Sequence, residues 1–251
     1  MKILSIDTAS NVCGVSILED ENLFCKLDTD TGRTHSENLM PMIEDAFSKT
    51  SLSLKDIDLL VYDKGPGSFT GIRIGIATVK AFHDSFDIPC VGVSSLEALA
   101  YFKALSFKKQ ENDKDMRTSQ SSLVCSILDC KNDNCYFAVY EWNDGFCNEL
   151  EKPTANTITT CLNSLRKYDK PITFVGDGSL VYKNEIISSF QDAIFVEGND
   201  NILNSYLLGL AGLEHFKNNQ IDDVLPLYLR KPQAQRQLEA SLGKDVKNHD
   251  A

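Results

Sequence analysis

A run of three short apolar strands joined by tight polar turns occurs twice in this chain, and the repetition limits its possible folds more than any other feature. The first copy is Ile3-Leu4-Ser5-Ile6-Asp7, Cys13-Gly14-Val15-Ser16-Ile17-Leu18 and Leu23-Phe24-Cys25-Lys26-Leu27, with an acidic turn at Glu19-Asp20-Glu21-Asn22. The second is Leu123-Val124-Cys125-Ser126-Ile127-Leu128-Asp129, Tyr136-Phe137-Ala138-Val139-Tyr140 and Phe146-Cys147-Asn148-Glu149-Leu150, turning through Asn132-Asp133-Asn134 and Asn143-Asp144-Gly145. Apolar runs bounded by Asn, Asp and Gly read as antiparallel hairpins, and in both copies an Asp closes the first strand. Each meander leads to a helical segment, then to an apolar strand that enters a glycine loop before another helix. These strands are Ile57–Tyr62, entering Gly65-Pro66-Gly67, and Ile172–Val175, entering Gly176-Asp177-Gly178. Self-similarity on this scale predicts an α/β chain of two related subdomains, each a mixed sheet covered by helices, with a cleft between them.

The predicted boundaries are 1–101 for an N-terminal subdomain, 102–122 for a charged surface loop containing Lys108–Asp115, 123–232 for a C-terminal subdomain and 233–251 for a polar tail. Leu238, Leu242 and Val246 are the apolar exceptions in that tail. A hydrophobic content of 42% suffices for a real core. No run approaches the roughly eighteen apolar residues of a membrane helix, and Met1-Lys2 leads directly into the first strand without a signal-type segment, so a cytoplasmic, membrane-free protein is expected. The eight cysteines lie mostly in apolar runs (Cys13, Cys90, Cys125, Cys161) and read as buried thiols of a reducing compartment. Cys125, Cys130 and Cys135 lack the close pairing typical of zinc ligands, so no metal is expected there. The formal net charge of −11 opposes autonomous binding of a polyphosphate and leaves a nucleic-acid role indirect or confined to a small patch. The basic clusters, Lys103 with Lys108 and Lys109 and Arg230 with Lys231 and Arg236, read as solvated surface.

Lys64-Gly65-Pro66-Gly67-Ser68-Phe69-Thr70-Gly71 sits between a buried strand and a helix running from Ile72 to about Phe86. Glycines there permit positive φ and close approach, and amides at a helix start beside Ser68 and Thr70 suit an anion. A tight turn that packs loop against helix explains the same residues, and neither a Walker lysine nor a complete G-x-G-x-x-G is present. Thr34-His35-Ser36-Glu37 fits a capping box opening a helix that continues to Phe47, with a kink expected at Pro41. His35 at that helix start has no nucleophile or orienting acid to make it a catalytic base. Leu39, Met40, Met42, Ile43, Ala46 and Phe47 form one broad face. In the second helix Ile72, Ile74, Ile76, Ala77, Val79, Ala81, Phe82 and Phe86 spread around the circumference, which predicts cover on both sides: the protein's own sheet on one, the first helix alone or with a partner on the other.

Three strands followed by alternating helix and strand resemble the actin/hexokinase/heat-shock ATPase fold, the duplicated ribonuclease H-like (ASKHA) architecture with a mixed five-stranded-type sheet in each subdomain. Within that fold, Ile3–Ala9, His35-Ser36-Glu37 with Leu39 and Pro41, Gly65–Gly75 and Pro89–Leu99 resemble the TsaB/YeaZ family. Beyond residue 101 the resemblance is carried by Val175-Gly176-Asp177-Gly178 and Pro226-Leu227-Tyr228-Leu229-Arg230. Lys64 and the pair Tyr62-Asp63 depart from the small or arginine residues of the family pattern.

The resemblance implies a partner subunit without catalytic residues of its own. It would pair with a TsaD-type paralogue as a heterodimer, and with a TsaE-type ATPase, in attaching a threonylcarbamoyl group to the adenosine beside the anticodon of tRNA. It would form a homodimer when alone, reach tRNA indirectly and hold no cofactor tightly, ATP and a metal belonging to the partners. By matching position, the implied interface is His35, Leu39, Met42, Ile43, Ile72, Ile76 and Val79. The fold further implies vestigial nucleotide or phosphate loops at Asp7, Gly65, Gly67, Ser68, Gly176, Asp177 and Gly178, since actin-like ATPases keep acids near magnesium and phosphate at such places. The catalytic paralogue binds its metal through His-x-x-x-His, whose members share one helix face. His35, His83, His215 and His249 include no pair at that spacing, which also counts against a metallopeptidase-like hydrolase. An ATP-dependent small-molecule kinase or ATPase, with Asp7 and Asp177 around magnesium, is the principal alternative.

Overall fold

Strands β1 (Lys2–Asp7), β2 (Cys13–Glu19) and β3 (Asn22–Thr29) form the first meander, and β6 (Ser122–Asp129), β7 (Asn134–Asn143) and β8 (Phe146–Thr157) the second. The structure is a computed structural model that describes residues 1–30, 35–104, 121–143, 146–221 and 223–231. Thr34 of the expected capping box, the Lys108–Asp115 run, Asp144-Gly145 and the 233–251 tail lie outside the described residues.

The first sheet is completed by β4 (Leu59–Gly65) and β5 (Cys90–Ser94), and the second by β9 (Ile172–Val175) and the short β10 (Ile194–Phe195). The orders are β3-β2-β1-β4-β5 and β10-β9-β6-β7-β8. Read from the opposite edge, the second sheet repeats the first: an antiparallel meander, then two parallel strands beside its first member. This is the duplicated actin-like arrangement anticipated above. The central strands β1 and β4 are buried almost end to end, as expected for strands covered on both faces, whereas β3 at the edge is largely exposed.

Helices α1 (His35–Thr50) and α2 (Phe69–Phe86) cover the outer face of the first sheet. The first continues through Pro41 to Thr50. The second starts where the Ser68 hydroxyl accepts from the Gly71 amide at 3.2 Å, and ends at Asp87, whose φ of 56° breaks the helical path. Helix α4 (Ile158–Leu165) and Ile186 of α6 (Lys183–Ser189) cover the outer face of the second sheet, after the short α5 (Asp177–Val181).

Between the two sheets lie α3 (Ser95–Ala100) and α7 (Ser205–Lys217), and they exchange sides. Helix α3, from the first half, packs onto β6 and β7. Helix α7, from the second half, packs along β1, β2, β4 and β5. By packing, then, α7 belongs to the first sheet, although the sequence boundaries put it in the 123–232 subdomain. Its glycines let it lie close. A Cβ on Gly209 would sit 2.8 Å from Leu18 Cδ1, and one on Gly212 2.5 Å from both Val61 methyls. Leu207, Leu208 and Ala211 join Ile3, Leu18, Leu59 and Val61 in one core that continues through α3 to Val124, Tyr140 and Trp142.

Leu208 is fully buried in that shared core. Leu208→Ala is expected to lower the free energy of unfolding by about 2–5 kcal/mol, measured by urea denaturation, because the void opens between well-packed layers. Both halves should unfold in the same transition.

Candidate functional site: the interdomain cleft

The end of β4 and the start of α2 meet the turn after β1, and glycine makes the meeting possible. Gly65 has φ of +100°, which a side chain would strain. A Cβ on Gly67 would lie 2.2 Å from the Ala9 carbonyl oxygen, and one on Gly71 would collide with the Thr8 carbonyl. The Ser68 amide donates to the Ala9 oxygen at 2.7 Å, and the Thr8 hydroxyl to the Gly71 oxygen at 2.8 Å. Of the two readings of this loop, close packing is what the residues do: backbone of the β1–β2 turn fills the space that the glycines leave. His35 braces the same turn, its Nε2 2.8 Å from the Ser10 carbonyl and its ring against Gly71. In the second half Gly176 repeats the device with φ of +98°, pressed on the Ile127 carbonyl.

Asp7 and Asp63 end up side by side beneath this loop, because β1 pairs in parallel with β4. Both are buried, at 0% and 2% exposure. Asp63 is well supplied with donors: the Gly65 amide at 2.6 Å and the Ser95 hydroxyl at 2.7 and 2.8 Å. Asp7 Oδ1 accepts from the Ala9 amide at 3.0 Å, while its Oδ2 has no donor. Burial, followed by the charge of Asp63, pushes Asp7 well above the usual carboxylate range. Burial also raises Asp63 to about 6, against the pull of Ser95 and Gly65. Two carboxyls so placed cannot both ionise. The shared burial favours a single proton between the two carboxyls.

Above them is an open cleft of about 600 Å³ between the halves. Of the seven phosphate-loop candidates it brings together Gly67, Ser68 and Asp177, whereas Asp7, Gly65, Gly176 and Gly178 are buried behind it. Asp177 lines the cleft while Asp7 is fully buried beneath the loop, so the two acids expected around magnesium do not line the same space. Burial raises Asp177, whose Oδ1 accepts from the Asp129 amide. Asp129 lies below the usual range despite its burial, because Lys131 and the Tyr182 hydroxyl hold its charge.

Sequence reasoning missed the rest of the lining. Arg73, Lys131, Arg230 and Lys231 all face this cleft. Arg230 is half-buried in its wall, whereas Lys231 is exposed, as the solvated reading of that cluster expected. They arrive on a strap, residues 223–231, pinned to the first half by Leu227 N to the Lys64 oxygen at 2.6 Å and Leu225 N to the Tyr62 hydroxyl at 3.2 Å. Tyr228 stacks on Phe69 at 4.5 Å between ring centroids and takes a hydrogen bond from Arg73 Nε at 2.8 Å. Arg230 crosses to the second half, donating to the Cys130 carbonyl and sulfur at 3.1 and 2.9 Å.

The interface candidates divide sharply. Leu39, Ile43, Ile72 and Val79 are 0–2% exposed and are consumed by the protein's own core, so their side chains are not a docking surface; His35, half-buried, is engaged with Ser10. Met42 and Ile76 remain partly exposed. Helix α2 is covered on one side only, with Ala77, Ala81 and Phe86 open to solvent, and Met40 of α1 is 43% exposed.

The family model described as "TsaD: tRNA N6-adenosine threonylcarbamoyltransferase" matches residues 29–236. The chain is 28% identical over 186 residues to the tRNA threonylcarbamoyladenosine biosynthesis protein TsaB of Bacillus subtilis, covering 74% of this chain and 75% of that one. To the protein of the same name from Haemophilus influenzae it is 24% identical over 246 residues, 92% and 94% of the two chains. The solved structure of YeaZ from Pseudomonas aeruginosa superposes with a TM-score of 0.70 at 21% identity, covering 91% of this chain and 99% of the other, a likeness of fold.

The buried pair gives a pH prediction. A carboxyl whose pKa is raised by folding favours the native state fully below its unfolded value near 4, and that contribution is lost as pH rises through the folded value. Asp7→Asn keeps the acceptor for Ala9 and a donor for Asp63 without a titrating proton. Thermal unfolding is expected to show the variant gaining stability over the parent as pH rises from 5 to 8; parallel pH profiles would contradict the shared proton.

Proposed function

Because the chain belongs to the family described by the TsaD tRNA N6-adenosine threonylcarbamoyltransferase model, and within it to the TsaB/YeaZ line, we propose that it serves tRNA threonylcarbamoyladenosine synthesis as a partner subunit without chemistry of its own. It pairs with a TsaD-type paralogue that carries the transfer, and the pair receives a TsaE-type ATPase. The observation that carries this reading is the closed glycine loop. A helix start of this kind could offer amides to a phosphate, but here the Ser68 amide is taken by Ala9 and the glycines are filled by Thr8 and Ala9. The acid that would steady magnesium, Asp7, is fully buried and accepts from the Ala9 amide. This packing supports the partner reading over the kinase reading.

The exposed side of α2 with its neighbours on α1 supports pairing. Met40, Met42, Ile76, Ala77, Ala81 and Phe86 leave apolar surface on two adjacent helices, and a covered second side is what the apolar spread of α2 calls for. The same surface accounts for self-association in the absence of the paralogue. No helix among the described residues is long and apolar enough to cross a membrane.

Sedimentation of the purified chain with its TsaD-type paralogue tests the proposal. A defined heterodimer is expected, weakened at least tenfold by Ile76→Asp or Met42→Asp, since a charge carried into an apolar interface costs more than about 1.4 kcal/mol. Calorimetry of the isolated chain with ATP should show no binding. Absence of a complex, together with magnesium-dependent ATP hydrolysis abolished by Asp7→Ala, would establish the kinase instead.

A further inference from the structure

For a chain of net charge −11, the cleft has the wrong sign. Four cationic side chains, Arg73, Lys131, Arg230 and Lys231, line it against two carboxylates, Asp129 and Asp177. They come from three places: α2, the turn between β6 and β7, and the adjacent Arg230-Lys231 of the strap. Their convergence is thus a product of folding and not of a charged run. Arg73, Arg230 and Lys131 have protein partners, Lys131 pairing with Asp129 at 2.7 Å. Arg73 is fixed by the Tyr228 hydroxyl over the Phe69–Tyr228 stack, and Arg230 by the Cys130 carbonyl and sulfur. Lys131 stands at the opposite wall, its side chain 82% exposed beside Asp129.

We propose that this cleft is a docking site for a single-stranded RNA segment, held by its phosphates on Arg73, Lys131, Arg230 and Lys231, with the Phe69 ring in the lining for a base. The choice of RNA rests on the tRNA-pathway reading above; the site rests on the cleft alone. Guanidinium groups fixed by one hydrogen bond keep further N–H donors for phosphate oxygens and lose little freedom on binding. An aromatic ring in the lining, Phe69 backed by Tyr228, favours a nucleic acid over an acidic peptide, because a base has a face to lay against it. A concavity of about 600 Å³ takes a base and its flanking phosphates and is too small for a duplex. The closed glycine loop argues against a free nucleotide, whose terminal phosphates would look there for amides. The contact with RNA is in this respect direct and small, the small patch that the net charge of −11 still allowed.

The test is fluorescence anisotropy of the full chain with a labelled ten-nucleotide single-stranded RNA across a salt series. Saturable binding that weakens with salt is expected. Lys131→Gln and Arg73→Gln should each weaken it about fivefold and make the log–log salt slope shallower by about 0.7. Lys80→Gln, on the exposed side of α2 away from the cleft, should change nothing. Since Arg73 also steadies the strap, Lys131→Gln decides the matter if Arg73→Gln lowers the melting temperature. No binding, equal losses in Lys80→Gln, tighter binding of AMP or ATP than of RNA, or equal binding of polyglutamate would each overturn the proposal. Pairing with the TsaD-type paralogue should be untouched by Lys131→Gln, so the docking site and the partner role stand or fall separately.

Discussion

The structure depends on an exchange of cover between its halves. A sheet with one apolar face unshielded is not stable in water, and here the inner face of the first sheet is shielded by α7, encoded after the whole of the second sheet. Helix α3 returns the service to β6 and β7. The halves are therefore not two beads on a linker. Their common core, from Ile3 and Val61 through Leu208 and Leu99 to Trp142, sets the angle between the sheets and so the width of the cleft. The strap that follows α7 adds polar ties across the same opening, at Lys64 on one side and Cys130 on the other.

Duplication left the halves alike in backbone and unlike in charge. Both place a glycine near φ +100° where a parallel strand turns toward a helix, at Gly65 and Gly176. Both end their first strand in an aspartate. Asp7 shares one buried proton with Asp63, while Asp129 is kept ionised by Lys131 and Tyr182. One position in the repeat has thus become fully interior, while the other, its side chain 6% exposed, is held by Lys131 at the edge of the cleft.

Strand order, the duplication and the glycine loops were legible because they rest on local alternation and turn chemistry. What escaped needed contacts distant in sequence. The all-round apolar character of α7 says that it is buried but not by which sheet. The periodic face of α1 named Leu39 and Ile43 correctly as important apolar positions, yet a buried face and a docking face carry the same pattern, and the core claimed both. Asp63 stood out as a departure from the family pattern. Its meaning appeared only when parallel pairing of β1 and β4 put it against Asp7. Arg73, Lys131 and Arg230 sit in separate segments of ordinary composition, so no charged run announced the cleft.

The late arrival of α7 matters for how the chain is made. A ribosome adding about 5–20 residues per second needs roughly 6–25 s to travel from the end of β5 to the end of α7. Throughout that interval Ile3, Leu18, Leu59 and Val61 lack their helix, and the nascent first half presents an apolar sheet to the surrounding solution. Such a protein is a natural client for chaperones that hold emerging chains, and its yield should depend more on the speed of synthesis than on the stability of the finished molecule.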